Sequence, residues 1–160
     1  MSKIVFDVGY LEERLLAAAA ILCFEKHKRP DYPHVEKTYS NVSVLSSWWY
    51  IEKTLMLVVP ALRIILDFYK EAKAKLEYRY NEVEKGLDYR EACNKIIHAL
   101  DICPEKVDGY LTGLVFLKGK KNNKTWDAEI DLNKFIANSL YILVQYDENW
   151  AISSRNGDAF

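Results

Sequence analysis

The apolar residues of this chain change their spacing once, and that change limits the folds open to it. Up to about residue 100 they recur mostly at three- and four-residue intervals, the period of a helix face; after Gly109 they alternate, the period of a strand. Leu11, Leu15, Leu16, Ala19, Leu22 and Cys23 make one stripe, which predicts a first helix from near Tyr10 to about Lys26. Lys26, His27, Lys28 and Arg29 then place cations at its C-terminal end, where the helix dipole favours them. Pro30, Pro33 and the mostly polar residues through Ser43 read as a loop. A second helical region opens near Ser43, and Pro60 either kinks it or starts a new helix. From Ala61 the helical period continues through Leu62, Ile65, Leu66, Tyr69, Leu76 and Tyr80 to about Glu84, with Gly86 placed to end it. Asp88 is a candidate cap for a shorter helix through Leu100, with Glu91 at capping-box spacing and Pro104 at the exit.

Beyond Gly109, Leu111–Leu117 is β-rich, Lys118–Lys124 reads as a turn, and Thr125–Ile130 alternates. The return strand places Trp126, Ala128 and Ile130 on one face and Thr125, Asp127, Glu129 and Asp131 on the other. A last helix is expected from about Asp131 to Tyr146, then a short frayed tail after about Asn149. The expected fold is therefore mainly α: one domain over residues 1–160, a helical bundle with a small β-hairpin at about 111–131, near the C-terminus. A chain of 160 residues buries roughly 70% of its unfolded surface, so the core needs no disulfide or metal staple.

Several classes are set aside at this stage. The most hydrophobic run, from Leu55 to Leu66, is interrupted by Pro60 and Arg63 and flanked by Glu52, Lys53 and Asp67. A span needs about 20 apolar residues, so the run reads as a core element and no membrane partner is expected. The three cysteines, Cys23, Cys93 and Cys103, are odd in number and form no CxxC pair, which predicts buried free thiols in a reducing compartment. With no signal-peptide pattern at Met1, a cytoplasmic protein is expected. His27 and His34 have no cysteine or acid at metal spacing, and no P-loop, GxGxxG or GxSxG occurs, so neither metal nor cofactor is expected. The net charge of −1 leaves a nucleic-acid partner to local patches.

Two such patches stand out. On a helix, Arg90, Asn94 and His98 are spaced four apart and form one polar stripe, although the eight-residue step from Arg90 to His98 turns about 80° out of register. A histidine exchanges protons near neutral pH, an arginine stabilises an anionic phosphorane, and an asparagine orients either group; together these support RNA cleavage. Lys118, Lys120, Lys121 and Lys124 form the second patch, a basic hairpin tip able to contact phosphates, with Trp126 nearby to stack on a base. The plainer alternatives are a locally bonded His98 with Arg90 paired to an acid, and a solvated turn. Adjacent Trp48 and Trp49 diverge by about 100° on a helix, so one of them is expected at a partner surface.

The segment Asp88-Tyr-Arg-Glu-Ala-Cys-Asn-Lys-Ile-Ile-His98, on a late helix after long ones, resembles the signature of the HEPN superfamily, an Arg followed after several residues by His. That resemblance implies a metal-independent endoribonuclease, or a catalytically dead RNA- or nucleotide-binding relative. It assigns His98 as acid/base, Arg90 as phosphate binder and Asn94 as orienting group. It also implies a homodimer and a setting in toxin–antitoxin or phage-defence systems. The alternative is a non-enzymatic immunity or inhibitor protein for a partner toxin, or a protein-interaction module. Whether the chain is an enzyme stays open between these two readings.

Overall fold

The computed structural model describes residues 6–26, 33–68 and 88–155. Within them the elements run α1 (Val8–Lys26), α2 (Pro33–Phe68), α3 (Tyr89–Ile97), β1 (Ala99–Val107), β2 (Tyr110–Lys121), β3 (Lys124–Asp131) and α4 (Leu132–Arg155). The fold is thus mainly helical among the described residues, with an antiparallel sheet of order β1-β2-β3.

Helix α1 begins two residues ahead of Tyr10 because Asp7 caps it, its carboxylate accepting from the Tyr10 amide at 3.0 Å. Its buried stripe is Leu11, Leu15, Ala18 and Leu22, whereas Leu16 and Cys23 are exposed. Helix α2 corrects the expected loop: Pro33 already belongs to it, which the absent proline amide permits in a first helical turn. Pro60 neither ends α2 nor starts another helix, since α2 continues to Phe68. The remainder of the expected helix through Glu84, with its stop at Gly86, lies outside the described residues.

The largest correction concerns residues 99–107. They form a strand, not the end of a helix and an exit loop. Alternation from Leu100 to Val107 is interrupted by Pro104, and the ladder is irregular on either side of that region, between Ala99 and Asp101 and between Pro104 and Lys106. An edge strand tolerates such a proline, because one row of its amides needs no ladder partner. Two tight turns join the three strands. Asp108 and Gly109, with φ of 51° and 81°, link Val107 to Tyr110; Asn122 and Asn123, with φ of 50° and 62°, link Lys121 to Lys124. Asn, Asp and Gly accept left-handed backbone at low cost, and two consecutive positive φ values match the twist of a hairpin. The turn is therefore only two residues long, and Lys118, Lys120 and Lys121 belong to β2.

The sheet turns Leu111, Val115, Leu117 and Ile130 inward onto the helices, and Phe135, Ile136 and Leu143 of α4 continue the same core. Helix α1 packs on α2, α4 and β2, while α3 lies along α2. Helix α4 extends beyond the expected Tyr146 to Arg155, so the segment after Asn149 is helical up to that point. Of the three thiols expected to be buried, only Cys93 is; Cys23 and Cys103 are exposed, because their positions fall off the buried stripe of α1 and on the outer face of the edge strand.

Candidate functional site

Asp88 caps α3, its carboxylate accepting from the Glu91 amide at 2.7 Å. The helix stops at Ile97, three residues earlier than its apolar pattern suggests, and His98 is its C-cap, the amide donating to the Asn94 carbonyl at 3.0 Å. The next residue, Ala99, pairs with Gly119 of β2. That register brings the end of α3 beside the far end of the hairpin. Between them opens a groove of about 650 Å³, lined by Glu91, Asn94, Lys95, His98, Lys120, Lys121 and Trp126, with Ile97, Ala99 and Leu100 completing the wall.

Trp126 shapes the groove. Its cross-strand partner is Gly119, and a Cβ there would lie 2.0 Å from Cζ2 of the indole, so the ring rests on bare backbone. Lys95 of α3 lies over the ring, with Nζ 4.1 Å from the ring centroid, and the same ammonium reaches Glu91 Oε1 at 3.7 Å. A base stacking on Trp126 has to displace Lys95. Sequence reasoning did not single out Lys95; its only signal was the one-turn spacing that sets it beside Glu91 on α3.

The polar stripe of α3 divides. Arg90 is not among the groove residues; its guanidinium Nη2 is paired with Asp67 of α2. Arg63 of α2 pairs with the same carboxylate and donates from Nε to Asn94 Oδ1 at 2.9 Å. Asn94 in turn donates to Glu91 Oε2 at 3.4 Å. Hydrogen bonds from Arg63, and then Arg90, hold the Asp67 carboxyl below the usual carboxylate range. Asn94 therefore ties the helices together at the groove's edge, Arg90 serves the α2–α3 joint, and His98 is exposed at the groove. The angular offset of the eight-residue step accounts for this separation.

The lysines divide as well. Lys120 and Lys121 line the groove. Lys118 lies between Asp101 on β1 and Asp127 on β3 in the ladder, so its charge faces acids on both sides. Lys124 is exposed beside the turn, paired in register with Lys121. Charge in the groove is positive on balance: Lys95, Lys120 and Lys121 against Glu91. Such a surface attracts phosphate groups, and its one exposed imidazole is placed to exchange a proton with whatever binds there. Among the described residues no cluster of three or more His, Cys, Asp or Glu forms a metal site, and no helix is long and apolar enough to cross a membrane. Compared with known proteins, the chain matches no family model, no curated protein and no solved structure.

Proposed function

We propose that this protein binds RNA in the groove between α3 and the β2–β3 hairpin, with Lys120 and Lys121 on the phosphates and His98 facing the bound strand. One observation carries this reading: His98 and two lysines of the basic hairpin, distant in sequence, line the same groove. Lysines sharing a groove with an imidazole supply the charge that a phosphodiester needs, whether it is held or cut. In a cleaving protein His98 is the acid/base group, and the lysines take the phosphate-binding role, because Arg90 is held by Asp67 and Asn94 by Arg63. The reading keeps the HEPN-like character of the segment as a resemblance, with a metal-independent endoribonuclease or an RNA-binding relative of a toxin–antitoxin or phage-defence system as its two forms.

The test is incubation of the full chain with a mixed RNA pool in EDTA, alongside His98→Ala and Lys120→Gln/Lys121→Gln. Cleavage lost in a normally folded His98→Ala protein supports the endoribonuclease. Binding without cleavage, weakened in the double lysine variant, supports the RNA-binding form. Neither cleavage nor binding overturns the RNA reading and leaves the non-enzymatic immunity, inhibitor or interaction protein.

A further inference from the structure

The groove between α3 and the hairpin presents two kinds of surface. Lys95, Lys120 and Lys121 supply charge, while Trp126, Ile97 and Leu100 supply apolar wall, Ile97 being 38% and Leu100 79% exposed. Phosphates answer the first kind and leave the second in water. The indole is the fixed part of the wall: a Cβ at Gly119 would stand 2.0 Å from its Cζ2 and 2.3 Å from its Cε2, so the ring has little room to turn. A ring already held in place binds a ligand at small cost in ordering.

The group over that ring is easily moved. Lys95 Nζ lies 4.1 Å from the centroid and 3.7 Å from Glu91 Oε1, and the glutamate side chain is 46% exposed, so water screens the ion pair. An ammonium on a four-carbon stem has other rotamers within reach. Glu91 keeps Asn94 as a partner, at 3.4 Å, when Lys95 leaves.

We infer that the groove takes an unpaired nucleobase, which stacks on Trp126 in the place of the Lys95 ammonium while Lys95 swings to a phosphate of the same strand. This deepens the RNA reading and rests on it. A flat ring joined to a phosphate answers both surfaces at once: the base covers the indole, and the phosphate gains a third lysine beside Lys120 and Lys121. In a duplex each base already stacks on its neighbours, so a paired strand reaches Lys120 and Lys121 but has no free face for the ring. Lys95 then stays on Trp126. Charge alone favours the duplex, whose phosphates are denser, so a preference for the single strand has to come from the ring. Trp126 and Lys95 are thus the residues that set specificity, and one lysine rotamer separates the empty groove from the filled one.

Fluorescence anisotropy on the full chain tests this with three probes of one length: an unstructured RNA strand, the same strand annealed to its complement, and a ribose–phosphate strand without bases. The intact single strand is expected to bind most tightly, exceeding the abasic strand by about five- to a hundredfold, the scale of one base stacked on an aromatic ring. Trp126→Leu should abolish that preference and keep the binding through the lysines, whereas Trp126→Phe should keep part of it. Lys95→Gln should lower the log–log salt slope of single-strand binding by about 0.7, one phosphate contact, and leave the duplex slope unchanged. Trp126 packs partly against the core, so melting curves check its variants, and the comparison of probes on the parent chain needs no variant. Single, paired and abasic strands bound alike through Lys120 and Lys121 overturn the inference and leave the proposed function standing. A preference that survives in Trp126→Leu, or a single-strand slope unchanged in Lys95→Gln, does the same. No binding of any probe by the folded protein overturns both.

Discussion

The indole of Trp126 rests on the backbone of Gly119, its cross-strand partner, so closely that a Cβ at 119 would fall 2.0 Å from Cζ2. No rotation of an alanine methyl relieves that contact, so the ring or the strand has to move. Gly119→Ala is expected to destabilise the fold by about 1–3 kcal/mol, the usual scale of overpacking. Because the displaced indole also loses Lys95, the groove changes shape. Urea denaturation measures the stability, and loss of RNA affinity beyond that of an equally destabilised core variant reports the groove.

Arg90 and His98 are expected to differ in kind when each is replaced. Arg90 pairs with Asp67 at the α2–α3 joint, while His98 is exposed at the groove. Arg90→Ala should lower the melting temperature and leave RNA binding by the folded protein nearly unchanged; His98→Ala should do the reverse. The Asp67 carboxyl, held low by Arg63 and Arg90, favours the folded state only while ionised. Its contribution is present above the ordinary carboxylate range and is lost as pH falls below it. Asp67→Asn should therefore be less stable than the parent chain at neutral pH, with the gap narrowing in acid. Melting curves across pH check the sign.

How much of this was legible in the residues follows from the range of the forces involved. The cap at Asp88, the core positions Leu11, Leu15 and Leu22, and the facing of Trp126 with Ala128 and Ile130 are local, and spacing reveals them. The divergence of Trp48 and Trp49 was legible for the same reason: Trp48 packs against the core and Trp49 is exposed. Strand β1 was not legible, because its pattern around Pro104 is broken and it becomes a strand by pairing with β2. The groove had the same obstacle. Its residues were visible one stretch at a time, but only the pairing of Ala99 with Gly119 sets His98 beside Lys120 and Lys121. Arg90 carried two readings, phosphate binder or partner of an acid, and spacing alone does not show that Asp67 stands on the neighbouring helix to take up the second.

Tyr89 and Ser139 join α3 to α4 through buried hydroxyls 2.7 Å apart. Ser139 already donates to the Phe135 carbonyl at 2.7 Å, so Tyr89 is the donor in the pair, and its ring stacks on Phe135 at 5.1 Å. Ser139→Ala removes the oxygen acceptor of the buried phenol, leaves it only the weakly accepting Cys93 sulfur, and is expected to cost about 1–3 kcal/mol. Tyr89→Phe keeps the stacked ring and should cost about 0.5–1.5 kcal/mol. The double variant should be more stable than the sum of the two losses predicts, since Tyr89→Phe removes the hydroxyl whose acceptor Ser139→Ala takes away. A double-mutant cycle by chemical denaturation measures that coupling.

The thiols give a test of the core by pH. Burial pushes the Cys93 thiol up to about 12 from its ordinary 9.0, so the folded protein favours the protonated form. The unfolded chain releases that proton as pH passes its ordinary value, while the folded chain holds it. Stability is therefore full below about pH 9 and falls as pH rises toward 12, by as much as about 1.4 kcal/mol per pH unit. Burial raises the Tyr89 hydroxyl as well and gives the same sign at higher pH. Between pH 8 and pH 10 the parent chain should lose about 1.4 kcal/mol more than Cys93→Ala, as read from urea midpoints. An aromatic disulfide reagent should meanwhile titrate exposed Cys23 and Cys103 in the folded protein and reach Cys93 only on unfolding. Cys103 should be slow for an exposed thiol near pH 8, because its sulfur donates to Asp101 Oδ2 at 3.4 Å and the carboxylate disfavours the thiolate. Asp101→Asn should speed that reaction without changing how many thiols respond. Three thiols reacting together in the folded protein would mean that α3 does not pack Cys93 against the core as found.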